Sequence, residues 1–415
     1  MESLMDQMPR MLMGQELEDA MLSLPPYDAA ICRADAGTRL VALDDIAGVY
    51  IPFSMSYEIY SKIYLAMLHS LKKKQTSNAI RQGNQNYKKL QGMGYHSVLG
   101  GADSFSITGP SGIGKSTALA KGIVLSGGEQ IIVTKEPCNQ IIPCINVQCP
   151  HDCSVKGLLL AILSQVDMLI GTRYEEFAVK KRVSIDNLIG TVSQVALNNI
   201  LLIVIDECQN ICRNKGGVNL IASLTQLINA SGVSISMVGL PETELLFRQE
   251  MQLARRSVGL SYSALPCNDY FIRFCETLFS FQYVACHSVL TPEIIELLYE
   301  CSGGIIAILV SVIMEAQQIA ILTGREELNR ETILLAYQQR LKNVQDFVQA
   351  GNSGKRRQTS PVSKGTVKDL GEETSDFEMD VDILVETVMK QVREDALDAV
   401  VLLKGSGFLV EEVDV

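Results

Sequence analysis

The chain has 415 residues, 47% hydrophobic and 20% charged, a composition that suits two or three globular domains and excludes a wholly disordered chain. Its net charge of −11 belongs to one end: fourteen acids and three bases fall between Asp369 and Val415, leaving 33 of each in the first 368 residues. The folded part is therefore neutral as a whole and free to carry a basic face. The longest apolar stretches, near Ile305–Met314, are too short for a membrane span. Glu2 and Asp6 replace the basic start of a signal peptide. Eleven scattered cysteines, an odd number, suit a reduced, intracellular protein.

Residues 1–50 are weakly patterned. Met1, Met5, Met8 and Leu12 share one helical face, which suits local packing better than a partner-binding stripe. After the break at Pro25-Pro26, Tyr57, Tyr60, Tyr64, Met67, Leu68 and Leu71 keep helical spacing, with Ser56 as the expected cap. Lys72-Lys73-Lys74 closes this helix, either as favourable charge at a solvated C-terminal end or as a DNA contact. Residues 75–103 read as a polar connector, so that 1–89 form an N-terminal helical, partner-binding region.

Ser104–Thr108 alternates like a strand and runs into Gly109-Pro110-Ser111-Gly112-Ile113-Gly114-Lys115-Ser116-Thr117. This fits the pattern G-x-x-x-x-G-K-[ST]. Small residues let consecutive N–H groups point at nucleotide phosphates. Lys115 adds charge at the β- and γ-phosphates, and the Ser116 hydroxyl suits Mg²⁺. The helix expected after the loop, to Leu125, turns its positive N-terminus toward the same phosphates.

Further strands are expected at 141–147, 201–205, 233–238 and 258–262, and helices at 155–170, 184–199, 217–230 and 242–253. This alternation implies a parallel sheet flanked by helices over 90–266. Pro143 weakens the 141–147 strand or moves it toward an edge. The run Leu201–Ile205 reads as a strand buried on both faces, ending in Asp206-Glu207. Downstream of a phosphate loop, Asp206 suits Mg²⁺ and Glu207 suits activation of the attacking water, which implies an ATPase or GTPase. Arg255-Arg256 suit either a helix end or an arginine finger reaching the γ-phosphate of a neighbouring subunit; their position favours the finger.

Cys138, Cys144, Cys149, His151 and Cys153 crowd one segment but lack a second pair at zinc spacing, so buried thiols are the expected reading. Residues 267–349 turn helical: a helix over 268–284, a start at Thr291-Pro292-Glu293, a break at Ser302-Gly303-Gly304, a long helix to about Leu322 and a last one from Asn329. This is the layout of a lid. Residues 350–415 read as a disordered acidic tail in which Asp380–Leu402 could form a helix with a basic partner.

The chain resembles the TnsC/TniB family of AAA+ ATPases that regulate DNA transposition. The resemblance spans about 90–345 and is carried by Gly109–Thr117, Val147–Leu158 running on to Gly171-Thr172-Arg173-Tyr174, Leu202–Asn210, and Gly239–Glu242 through Ala254-Arg255-Arg256-Ser257. It implies an AAA+ P-loop fold with a small all-helical lid, using ATP and Mg²⁺. It also implies a homo-oligomeric ring or filament on double-stranded DNA. This would link a target selector of TniQ or TnsD type to a TnsB-type transposase, sometimes with TnsA. The sequence departs from the family at Leu240, where a polar Thr is usual, with Ser236 as the possible substitute, and at Ile305-Ile306, where many AAA+ proteins place an arginine. A replication initiator, a helicase loader and a DNA-independent scaffolding or signalling ATPase would share the nucleotide motifs.

Overall fold

The structure, a computed structural model, describes residues 7–74, 104–135, 138–213, 217–244 and 257–341. The strands are β1 (Ser104–Thr108), β2 (Ile132–Lys135), β3 (Cys138–Gln148), β4 (Ile200–Asp206), β5 (Ser234–Gly239) and β6 (Ser257–Ser261). They form one sheet in the order β2-β3-β4-β5-β1-β6. Every neighbouring pair is parallel except β2 with β3. The antiparallel β2 escaped the sequence reading because four residues are too few to show a period.

β3 is not an edge strand, contrary to one expectation from Pro143. β2 pairs with its first residues, Cys138–Ile141. Pro143 stands beyond Ile141, where the ladder on that side has already ended.

The helices that precede the C-terminal helical region in the chain are α1 (Gly14–Met21), α2 (Ala36–Ala42), α3 (Ser54–Lys74), α4 (Lys115–Leu125), α5 (Val155–Ile170), α6 (Tyr174–Lys180), α7 (Ile185–Asn199), α8 (Gln209–Arg213) and α9 (Gly217–Ser231). β4 shows why both sheet faces are covered. Its side chains alternate: Leu202 and Val204 join the core built with α3 and α4, whereas Ile203 and Ile205 join the core built with α5, α7 and α9.

α3 begins before Ser56, which is therefore not its cap. The Ser56 hydroxyl accepts the Phe53 N–H at 3.1 Å from inside the first turn, which satisfies an otherwise orphaned donor. At the other end the Lys74 ammonium donates to the carbonyls of Ala196 (2.8 Å) and Leu197. The last lysine of the run thus closes α7 rather than its own helix, adding a donor to carbonyls of the last turn of α7, of which that of Ala196 also accepts the Ile200 N–H.

α10 (Asp269–Ser280), α11 (Pro292–Ser302), α12 (Ile306–Leu322) and α13 (Arg330–Arg340) form the C-terminal helical region. Thr291 caps α11 with proline in its first turn, as its sequence predicts. The core of this region contains Phe271, Phe274, Leu298, Leu309, Ile313 and Ile333, together with Leu43, Ile46, Val49 and Ile51 from the N-terminal segment. That segment is therefore divided. Residues 43–51 pack with the helical region, whereas α3 packs on the sheet. Arg39 fastens the first part through two bonds to the Glu326 carboxylate, 2.5 and 2.7 Å, and one to the Tyr283 carbonyl at 3.1 Å. Among the described residues no single helix is long and apolar enough to cross a membrane. α11 and α12 together approach that composition but bend by 119° and lie in this core.

The break between α11 and α12 depends on Gly304, at φ +77, where an added Cβ would lie 2.0 Å from the Leu265 carbonyl oxygen. Neither the backbone nor that oxygen can yield cheaply. Gly304→Ala is expected to destabilise the fold by about 2 to 4 kcal/mol, read as a fall in the urea midpoint. An unchanged midpoint would mean that the chain relaxes around the methyl group.

The acidic tail, with the helix expected at 380–402, lies outside the described residues, as does the connector 75–103.

Candidate functional site

Parallel pairing brings the C-terminal ends of β1, β4 and β5 to one edge of the sheet, where an α/β fold leaves a crevice. The phosphate loop follows β1, the acid pair ends β4, and Gly239-Leu240 follows β5. β5 lies between β1 and β4. The loop and the acid pair therefore come from strands two positions apart, on the order of 10 Å.

Within the loop, Gly112 and Gly114 take φ +79 and +95, values that ordinary residues rarely adopt. The buried Lys115 ammonium donates to the carbonyls of Gly109 (2.8 Å) and Pro110 (2.7 Å), which holds the loop curled around it. Burial pushes this amine below the ordinary lysine value, against the opposing pull of the Asp206 and Glu207 carboxylates. The Ser116 hydroxyl donates to Asp206 Oδ2 at 3.3 Å, and Asp206 Oδ1 accepts the Glu207 N–H at 2.8 Å. Glu207 itself sits at φ +60, a sparsely populated conformation for a non-glycine residue. The Gln209 side-chain amide donates to its carboxylate.

These groups face a cavity of about 660 Å³. Its polar lining includes Lys115, Ser116, Thr117, Asp206 and Glu207, beside the loop glycines Gly112 and Gly114. Its apolar lining includes Val49 and Ile51 from the N-terminal segment and Phe274, Ile306, Val310 and Met314 from the helical region. The helical region also touches the loop directly: the Ala307 N–H donates to the Gly112 carbonyl at 2.9 Å. A Cβ at Gly112 would lie 2.9 Å from that of Ala307, so this approach requires glycine.

The glycine cradle, the lysine, and apolar lining residues suited to a base fit a nucleoside triphosphate. A hydroxyl and a carboxylate already within hydrogen-bond distance are hard oxygen donors of the kind Mg²⁺ takes.

Leu240 lines the cavity, as its place after Gly239 suggests. Ser236 does not. It is fully buried inside β5, with its hydroxyl unpartnered among the described residues, and cannot replace the missing polar side chain at the cavity. Cys149 and Cys153 are buried, their thiols donating to the carbonyls of Pro150 and Asn210. Among the described residues no group of three His, Cys, Asp or Glu is placed to hold a metal ion. Arg255 and Arg256, and the expected helix at 242–253 from residue 245 on, lie outside the described residues.

Residues 98–247 match the family model of the AAA domain. This stretch is similar to that domain. Its mostly parallel sheet with flanking helices, followed by a C-terminal helical region, is the AAA+ P-loop fold. No curated protein matches the sequence. Among solved structures the chain is similar to the ORC1 protein of Aeropyrum pernix in complex with DNA, at 18% identity and TM-score 0.42 over 63% of each chain. The match thus spans less than two thirds of that protein. It is also similar to domain III of the replication initiation protein DnaA of Thermotoga maritima, at 16% identity and TM-score 0.35 over 64% of this chain and 94% of that one. A third is C. elegans PCH-2, at 13% identity and TM-score 0.38 over 77% and 74%.

The matched stretch contains the phosphate loop and acid pair that the sequence marks. Val49, Ile51 and Phe274 carry no such mark, because apolar residues at ordinary helical or loop positions read only as core. Gln209 and Lys121, which also line the cavity, could have been found only by counting from the motifs.

Proposed function

We propose that the chain is an ATP-hydrolysing switch that assembles on double-stranded DNA with ATP and couples selection of a target site to recruitment of a transposase. One observation carries the nucleotide part: Lys115, Ser116, Asp206 and Glu207, from two separate strand ends, line a single cavity that residues of the helical region also line. Nucleotide in that cavity would bear at once on the loop and on the Gly112–Ala307 contact. In this reading Lys115 neutralises the β- and γ-phosphates, Ser116 and Asp206 hold Mg²⁺, and Glu207 takes the proton of the attacking water. The metal ion, when bound, neutralises charge on the phosphate oxygens. Leu240 offers no hydrogen bond to the water, so turnover is slow, as suits a switch.

The transposition part rests on the sequence resemblance over 90–345. Arg255 or Arg256 would complete the site of a neighbouring subunit, and the oligomer would hold DNA mainly through phosphates. The partners are then a TnsB-type transposase and a target selector of TniQ or TnsD type.

Sedimentation and electron microscopy with duplex DNA test this reading. Assembly is expected only with ATP and DNA together, and the assembled protein is expected to retain a TnsB-type transposase. Arg255→Ala or Arg256→Ala should bind ATP as monomers yet assemble poorly and hydrolyse at least about tenfold more slowly. Assembly without DNA, or capture of a replicative helicase in place of transposase, overturns the proposal. If the double arginine variant assembles normally, the two residues are helix-end charges.

A further inference from the structure

The cavity carries a second lysine that the chemistry above leaves unused. Lys121 stands on α4, four residues after Thr117 and so on the same helical face, and both line the cavity. Helical side chains lean toward the N-terminus of their helix, so the Lys121 stem runs back along α4 toward the phosphate loop. Its amine lies 5.2 Å from the centre of the Tyr50 ring. Tyr50 belongs to the segment 47–51, which lines the cavity together with Val310 and Met314 of the helical region.

Lys115 has the Asp206 and Glu207 carboxylates nearby. For Lys121 no ion pair occurs among the described residues, and burial lowers the affinity of its amine for a proton without a carboxylate to oppose it. An aromatic face holds a part-solvated ammonium only weakly, so the amine is free to exchange the ring for an anionic oxygen.

The position says which oxygen. Six residues of helix carry Lys121 roughly 9 Å along α4 from Lys115. This is past the loop that cradles the outer phosphates, and beside Tyr50, which also lines the cavity.

We propose that Lys121 is a second anion-binding residue of this cavity, contacting the phosphate next to the ribose and serving ATP and ADP alike. The role rests on the nucleotide-binding reading above. Lys115 would then recognise the outer phosphates and Lys121 the inner one.

Calorimetric titration of the full chain with ATP and with ADP tests this, using Lys121→Met, Lys121→Arg and, as control, Lys115→Ala. Lys121→Met is expected to weaken both nucleotides by the same factor, roughly tenfold. Lys121→Arg keeps the charge and should recover most of the loss, which a merely structural role would not predict. A urea midpoint measured without nucleotide confirms that each variant is folded. Binding of both nucleotides to Lys121→Met as tightly as to the parent overturns the proposal. So does a loss confined to ATP, which would put the amine at the γ-phosphate. If Lys115→Ala also binds ATP normally, the nucleotide reading itself fails. If Lys115→Ala alone loses affinity, only the role of Lys121 fails.

Discussion

Glu207→Gln should bind ATP and turn it over at least about a hundredfold more slowly than the parent chain. The substitution keeps the size of the side chain and removes only its capacity to take a proton. Geometry makes Glu207 the residue to change. Its backbone is held at φ +60, its carboxylate accepts from the Gln209 amide, and its N–H is fixed on Asp206. A sparsely populated backbone conformation at the end of a buried strand persists only where its surroundings impose it. Here it turns a carboxylate toward the cavity that also holds Lys115 and Ser116. Phosphate release measured with duplex DNA present is the direct assay. The lifetime of the assembly on DNA should lengthen in parallel, because ATP remains bound. Hydrolysis at the parental rate would show that another group takes the proton.

Lys115→Ala is expected to lower ATP affinity by about a hundredfold or more, since charge-assisted hydrogen bonds to phosphate are among the strong ones. The variant has a second effect. The carbonyls of Gly109 and Pro110 lose the ammonium that joins them, so the loop loses its internal tie as well as its charge. The parent chain should show a matching pH dependence. Burial holds the Lys115 amine below its usual 10.5, so the free protein loses this charge on raising pH sooner than an exposed lysine would. ATP affinity should therefore decline as pH rises toward 10.5, and Lys115→Ala should lack that limb. The sign for stability is the opposite. Between the lowered value and 10.5 the unfolded chain binds more protons than the folded one, so this lysine's contribution to stability rises with pH. An affinity unchanged by the substitution would remove the loop from nucleotide binding.

Features that depend on neighbouring residues were legible in the amino-acid order. The loop from Gly109 to Thr117 needs small residues and a lysine at fixed spacing, and α4 starts at Lys115 as that spacing requires. β4 was legible because a strand buried on both faces reads as an apolar run, and Asp206-Glu207 because charge ends such a run. Thr291 and Pro292 marked the start of α11 by the same local logic.

What joins those pieces was decided by tertiary structure. Strand order is set by which strands exchange hydrogen bonds across the sheet, and periodicity within a strand says nothing about its neighbours. Only the fold therefore placed β5 between β1 and β4, buried Ser236 away from the cavity, and aligned Thr108, Asp206 and Gly239 at one edge. In the same way, Val49 and Phe274 are 225 positions apart and look like ordinary core residues. They line one cavity because residues 43–51 pack into the helical region while α3 packs on the sheet. Burial of apolar surface drives both contacts and is non-directional. The choice between the two cores therefore rests on shape and connectivity over the whole fold, which no short stretch of sequence records.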